Sequence, residues 1–340
     1  MLENTKRIIK YCRLAEAIYN DNYGGNSMKV EKSVINQVLD LLDCRETDIR
    51  LLGGYFDNVY EISFEVPIVV KIFNREFDTE ERILSEIEWI QFLNEKGVNV
   101  TIPKIINGET YINNLTDKLF FVAYEKVKGA PVDTNDEDWN EKLFKQWGMG
   151  MGTMHSLSRT YEGKYKRPEW NEHKIYQMNM NTFDSKIKEK WEKYLEDISS
   201  MSISREVYGI IHGDLNHHNF LYDKGEITYI DFGDSEFNWF AYDIAISIYH
   251  ASQTIRDRNE RDQFASLFFK SFIEGYSIGN SVNGILEHID FFINFRHLYS
   301  FVYHNQFLQK DQLNRQQLKY LEEMEQTIIN QKTYLGISLI

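Results

Sequence analysis

Apolar positions first fall at Ile8, Ile9, Cys12, Ala15 and Ile18, one helical stripe that ends at the turn-rich DNYGGNS. Residues 1–27 therefore predict an N-terminal helical extension. A second helix starts near Met28, in MKVEKSVINQVLDLL, with Ser33 as its N-cap. The period then shortens. RLLGGYFDNVYEISFE and IVVKIFN alternate or run apolar in short β-rich stretches around a glycine pair, which predicts two antiparallel strands joined at Pro67. FDTEERILSEIEWIQFLNEKG is the clearest helix: Asp78 and Glu81 stand at capping-box spacing, Ile83, Ile87 and Ile90 form the apolar stripe, and Gly97 is the stop. Strands around TIPKII and KLFFVAYEKV complete a small α+β lobe over residues 28–125. Beyond Asp136 the pattern is helical over 141–156, 183–199, 242–251, 262–276, 289–305 and 312–331. Only residues 208–235 interrupt it, with short strands, so 126–340 predicts a larger, mostly helical lobe.

Composition supports two lobes. A chain of 340 residues with 42% hydrophobic residues has ample core material, but single cores stop growing near this size, so a cleft between two lobes is expected. Lys and Arg number 38 against 52 Asp and Glu, a net charge of −14, which disfavours a grip on nucleic acid or anionic lipid. Small molecules are the expected partners. With two cysteines, Cys12 and Cys44, there is no disulfide framework and no CxxC pair for zinc, so a reducing cytoplasm fits. The N-terminal stretch is broken by charge too often for a signal sequence, and no run is long enough to span a bilayer.

The chemistry concentrates in YGIIHGDLNHHNFLYDKGEITYIDFGDSEFNWFAYDIA. An apolar strand delivers His212-Gly213-Asp214, Asn219 follows five residues after Asp214, and a hairpin at Asp223-Lys224-Gly225 returns to Asp231-Phe232-Gly233. Two carboxylates and an amide are thereby held at the ends of short strands. The set suits Mg²⁺ and phosphate: Asn219 and Asp231 offer hard oxygen ligands, and Asp214 a separate carboxylate to accept a hydroxyl proton. Adjacent histidines point apart on a loop or strand, so His212, His217 and His218 do not read as a metal cluster.

HGDLNHHNF and YIDFGDSEFNWFAYDIA resemble the catalytic and metal loops of the aminoglycoside phosphotransferase and choline kinase superfamily, small-molecule relatives of the protein kinases. The resemblance runs from about residue 45 to the last helices. It implies a bilobal, protein-kinase-like α+β fold, a β-rich N-lobe that binds Mg²⁺-ATP or GTP, and transfer of the γ-phosphoryl to a hydroxyl of a small metabolite or antibiotic. Asp214 would be the catalytic base, Asn219 and Asp231 the Mg²⁺ ligands, His212 a packing residue, and Asp243 a buried brace of the catalytic loop. A kinase site needs a strand lysine, and Lys71 in IVVKIF is the candidate, with Glu86 as its partner on the following helix. The phosphate-covering turn would be Gly53-Gly54-Tyr55-Phe56-Asp57-Asn58, where GGxxxNxVY is similar to the phosphotransferases. AYEKVKG looks like the hinge, so the backbone of Glu125 and Val127 would meet the purine edge with Tyr124 behind it.

Only nine residues separate Gly233 from Asp243, too few for a phosphorylated activation segment, and glycine replaces the arginine that would read such a phosphate. For the acceptor, three patterns compete. Arg296 would suit an acid, Trp239, Phe240, Tyr299 and Tyr303 a quaternary amine, and Asp234, Glu236 and Asp290 an aminoglycoside. The alternative to an enzyme is a catalytically silent pseudokinase, whose usual mark would be loss of Lys71, Asp214, Asn219 or Asp231. All four are present.

Overall fold

The computed structural model describes residues 30–53, 57–63, 66–106, 108–307 and 313–340. The predicted extension 1–27 and Gly54 lie outside them. Two compact units emerge. One runs to Lys128 and takes in Gly163–Lys166; the other comprises Gly129–Glu162, Arg167–Gln306 and Leu313–Ile340.

The first unit contains α1 (Lys32–Leu41), β1 (Ile49–Gly53), β2 (Val59–Ile62), β3 (Ile68–Asn74), α2 (Glu80–Glu95), β4 (Pro103–Lys104), β5 (Asn113–Asn114) and β6 (Leu119–Glu125). Its antiparallel sheet has the order β1-β2-β3-β6-β4, with β5 also on β6. Ile68, Val70 and Ile72 of β3 join Val34, Val38 and Leu39 of α1 in one apolar core. Because alternate β3 residues face that core, Lys71 faces the other side. The stretch expected to be one strand before Pro67 is two, β1 and β2. Gly53, the last residue of β1, has a φ of +127°, where a side chain would be strained, and the pairing of β1 with β2 shifts register between Leu51 and Gly53. Two caps also differ from expectation. Helix α1 starts after Glu31, with Ser33 Oγ donating to the Glu31 carboxylate rather than capping. In α2 the cap is Thr79, whose Oγ1 accepts the Arg82 N–H at 3.2 Å, instead of Asp78.

The second unit contains α3 (Glu141–Ser158), α4 (Ser185–Ser200), β7 (Tyr208–Ile211), β8 (Phe220–Asp223), β9 (Glu226–Tyr229), β10 (Glu236–Trp239), α5 (Phe240–Gln253), α6 (Arg258–Gly279), α7 (Ile289–Phe307) and α8 (Arg315–Ile329). Helices α3 and α6 approach so closely that a Cβ on Gly148 would lie 1.9 Å from the Phe272 carbonyl oxygen, and one on Gly275 1.8 Å from that of Lys145. That contact carries His155 to Tyr276. Strand β10 pairs antiparallel with β7, from Glu236↔Ile211 to Trp239↔Tyr208. The loops 212–219 and 230–235 therefore begin and end side by side, which brings together residues that the β8–β9 hairpin separates in sequence. Among the described residues no helix is long and apolar enough to cross a membrane.

Candidate active site

Asp243, near the start of α5, anchors the loop after β7. Its Oδ2 accepts the His212 N–H at 2.9 Å and its Oδ1 the Gly213 N–H at 3.1 Å. Fully buried His155 reaches Asp243 Oδ2 through Nε2 at 3.0 Å. Its Nδ1 meets the Tyr276 hydroxyl at 2.9 Å, which in turn receives the Asn280 amide at 2.8 Å. Burial holds His155 below the usual imidazole range, so the ring is neutral. Since a carboxylate only accepts, Nε2 carries the proton and Nδ1 accepts from Tyr276. Burial pushes Asp243 up, but the hydrogen bonds it accepts from His155 and the His212 N–H outweigh it and hold the carboxyl below its ordinary value.

Asp214 stands at the tip of this braced loop with 27% of its side chain exposed. Oδ2 accepts from the amides of Asn216 at 2.9 Å and Asn219 at 3.0 Å, while Oδ1 accepts from Arg296 Nη2 at 3.1 Å. Burial pushes the carboxyl up to about 7, opposed by Arg296 and assisted by the charges of Asp234 and Asp231. Asn219 is tied to the other loop as well, its carbonyl accepting the Ile230 N–H at 3.1 Å. Asp231 follows directly, at φ +61°. His212 packs behind, its ring 4.6 Å from Phe232 and its Nε2 3.1 Å from the Ile230 carbonyl.

The donor set fits a hard divalent cation. Asn219 turns its amide nitrogen to Asp214, which leaves Oδ1 directed away from that carboxylate, and Asp231, the residue after the Ile230 whose N–H bonds the Asn219 carbonyl, adds a carboxylate to the set. Among the described residues no three His, Cys, Asp or Glu side chains cluster to hold a metal. A cation at Asn219 and Asp231 would complete its shell with water and phosphate oxygens.

Sequence reasoning missed what holds Arg296. Its Nη2 also reaches His250 Nε2 at 3.1 Å, its Nη1 the Tyr242 hydroxyl at 3.5 Å, and its guanidinium lies 5.2 Å from the Tyr299 ring. Burial works against the guanidinium charge, but Tyr242, Asp214 and Tyr299 outweigh it and Arg296 stays protonated. Burial, with Arg296 beside it, holds His250 well below the usual range, so the neutral ring accepts from Arg296 through Nε2. Nδ1 then donates to Gln253 Oε1 at 3.1 Å, and the Gln253 amide donates to Tyr320 of α8 at 2.8 Å. A chain of hydrogen bonds thus runs from the C-terminal helix to the Asp214 carboxylate. Arg296→Gln is expected to lower kcat by about tenfold to a hundredfold, through a misplaced carboxylate, with nucleotide affinity unchanged. Steady-state kinetics beside a nucleotide titration check this, and equal losses in both would contradict it.

In the first unit, Lys71 on β3 stands opposite Val59 of β2 and Val122 of β6, its Nζ 5.5 Å from the Phe73 ring centroid. Glu86 on α2 is 2% exposed. Its neighbour Glu88 accepts the Lys164 and Tyr165 N–H groups at 2.9 and 3.0 Å, tying residues 163–166 to this unit. Asn58 was expected to face the nucleotide. Instead its Nδ2 donates to the Ile72 carbonyl at 2.6 Å and its carbonyl accepts the Ile72 N–H at 2.9 Å, so it fastens the strand next to Lys71. The Glu125 N–H already donates to Ile102 at 2.8 Å, which excludes that amide from a base edge. Tyr124 is buried.

Residues 48–277 match the family described as "Phosphotransferase enzyme family". The chain belongs to that family. Amicoumacin kinase of Bacillus subtilis (strain 168) is 29% identical over 280 residues, 79% of this chain and 83% of the relative. A solved amicoumacin kinase, in complex with AMP-PNP, Ca²⁺ and Ami, is 26% identical, with a TM-score of 0.82 over 91% of this chain and 96% of that one. A microcompartment-associated aminopropanol kinase shares the fold at 18% identity, with a TM-score of 0.68 over 88% of this chain and 95% of that one. This phosphotransferase is accordingly a small-molecule kinase of protein-kinase-like α+β fold, with a hydroxyl group as acceptor.

The acceptor patterns separate in the phosphotransferase. Trp239 packs against Tyr208 at 4.9 Å and Phe240 stacks on His155 at 4.3 Å, both buried, so neither is available for an aromatic cage. Asp290 accepts from Ser338 Oγ and the Leu339 N–H, which ties it to the C-terminal segment. Arg296 is the candidate that reaches Asp214.

Proposed function

We propose that this phosphotransferase moves the γ-phosphoryl of Mg²⁺-ATP, or GTP, to a hydroxyl of an amicoumacin-like small molecule in the cytoplasm. The observation that carries this is the Asp214 carboxylate. With Oδ2 filled by two amides, Oδ1 keeps one acceptor direction beside Arg296 for a substrate hydroxyl. Asp214 orients that hydroxyl and takes its proton as the new P–O bond forms, so its contribution is alignment more than base strength. Arg296 and the two amides hold the carboxylate in one orientation through turnover.

Lys71, with Glu86 beside it in function, would draw the α- and β-phosphates, and the backbone N–H groups of Gly53 and Gly54 would cover them. The Glu125 carbonyl and the Val127 amide would meet the base edge. Asn219 Oδ1 and Asp231 would hold the cation, which when bound screens the phosphate charge. The AMP-PNP and Ca²⁺ of the solved amicoumacin kinase support an adenine nucleotide donor and a divalent ion. Retention of Lys71, Asp214, Asn219 and Asp231 favours an enzyme over a silent nucleotide binder.

Mg²⁺-ATP at a hundred times its Kd should stabilise the protein by about 2.7 kcal/mol, a rise of several degrees in Tm. Asp231→Ala should remove the metal-dependent part. Labelled-phosphate transfer is then scored with amicoumacin, aminopropanol, choline and aminoglycosides as acceptors, and with ATP against GTP. If neither nucleotide shifts Tm at millimolar concentration, the reading fails.

A further inference from the structure

We propose that Arg167 is a positioning residue that keeps the loop Asp231–Ser235 shaped for its cation, without any phosphorylated segment. This rests on the reading of Asp231 as a cation ligand. Arg167 is 1% exposed, and its guanidinium is directed at the backbone of that loop. Nε donates to the Ser235 carbonyl at 2.9 Å, and Nη2 donates to Phe232 and Gly233 at 3.3 Å and to Ser235. Three carbonyls thus converge on one cation. Carbonyl dipoles turned inward at one point repel one another and lose water, so this loop shape needs a buried positive donor at its centre. A planar fork with five N–H groups can serve them together, whereas an ammonium is a single point of charge.

Independent contacts place the arginine. Pro168, the next residue, accepts the Phe237 N–H at 2.8 Å, and Glu169 bridges Phe237 in parallel register while its carboxylate accepts the Tyr208 hydroxyl at 2.6 Å. Residues 168 and 169 are therefore fixed against β10 by one hydrogen bond and one parallel bridge, and Arg167, the residue before them, reaches the loop. Gly213 also closes on the loop, so tightly that a Cβ there would lie 2.2 Å from the Asp234 carbonyl oxygen. The Ser235 N–H turns back to Phe232 at 3.0 Å, and β10 starts one residue later. The loop is short, closely packed and stapled by a resident cation. Nothing in it waits for an added phosphate to supply order.

The test follows the Mg²⁺ concentration at which half of the nucleotide-induced Tm rise appears, in wild type, Arg167→Lys and Asp231→Ala. For Arg167→Lys the midpoint should rise by about tenfold to a hundredfold, as when a group orienting a metal ligand is lost. Nucleotide binding without metal should stay within twofold. A folded Arg167→Lys with the wild-type midpoint overturns the proposal, while a wild type with no Mg²⁺-dependent response overturns the reading of Asp231 and the proposal with it. Hydrogen exchange on the metal-free wild type is a second test that needs no variant. The amides of 232–236 should be protected before Mg²⁺ is added, and a loop that gains protection only with Mg²⁺ would sink the idea.

Discussion

Asp214→Asn is expected to lower turnover by about 10²–10⁴, the range for loss of a positioned acid–base group, while nucleotide affinity changes by no more than a few-fold. The surroundings of Asp214 explain why so small a change has so large an effect. One carboxylate oxygen accepts from two asparagine amides and the other from Arg296. An asparagine satisfies one side only: if its oxygen faces the two amides, its NH₂ confronts the Arg296 guanidinium, donor against donor. The variant thus loses the proton acceptor and disturbs the groups that aligned it. Single-turnover transfer to the best acceptor, beside nucleotide titration, is the measurement. Wild-type turnover in Asp214→Asn would mean that the chemistry lies elsewhere.

Asp243→Ala should cost about 3–5 kcal/mol of folding stability, out of the roughly 5–15 kcal/mol typical of a protein. Three donors, the buried His212 N–H and His155 Nε2–H and the part-buried Gly213 N–H, lose their acceptor at once. Urea unfolding followed by circular dichroism measures it, and a loss below about 1 kcal/mol would contradict the bracing role. Asp243→Asn should fall between, because it keeps an oxygen for one or two of the donors. The pH dependence has a definite sign. The folded carboxyl lies below its ordinary value, so its stabilisation is complete above the unfolded carboxylate pKa of about 3.9 and is lost as pH falls through the folded value. Asp243→Asn should flatten that acid limb.

Misreadings of the chain were local in kind. Pro67 was legible as a strand boundary, but the register shift that ends β1 goes with the positive φ of Gly53, and apolar alternation does not report φ. Asp78 and Thr79 both have capping side chains, and which one caps α2 is a matter of one hydrogen bond. Asn58 illustrates a different limit, because a motif position does not report that its side chain also fastens a neighbouring strand, here through the Ile72 carbonyl.

By itself the sequence determined the alternation of β-rich and helical halves, and the spacing of Asp214, Asn219 and Asp231. These rest on periodicity and on loops of a few residues, where chain connectivity leaves few arrangements. Tertiary structure alone decided what surrounds Asp214. Arg296 is 82 residues away in sequence, His155 lies 88 from Asp243, and Arg167 lies 65 from Phe232. An arginine or histidine on a helix carries no local mark of its partner. Which ones meet the loop is set by how α3 closes on α6 and by the register of β7 with β10. Both are packing outcomes of the whole second unit, and no window of sequence contains them.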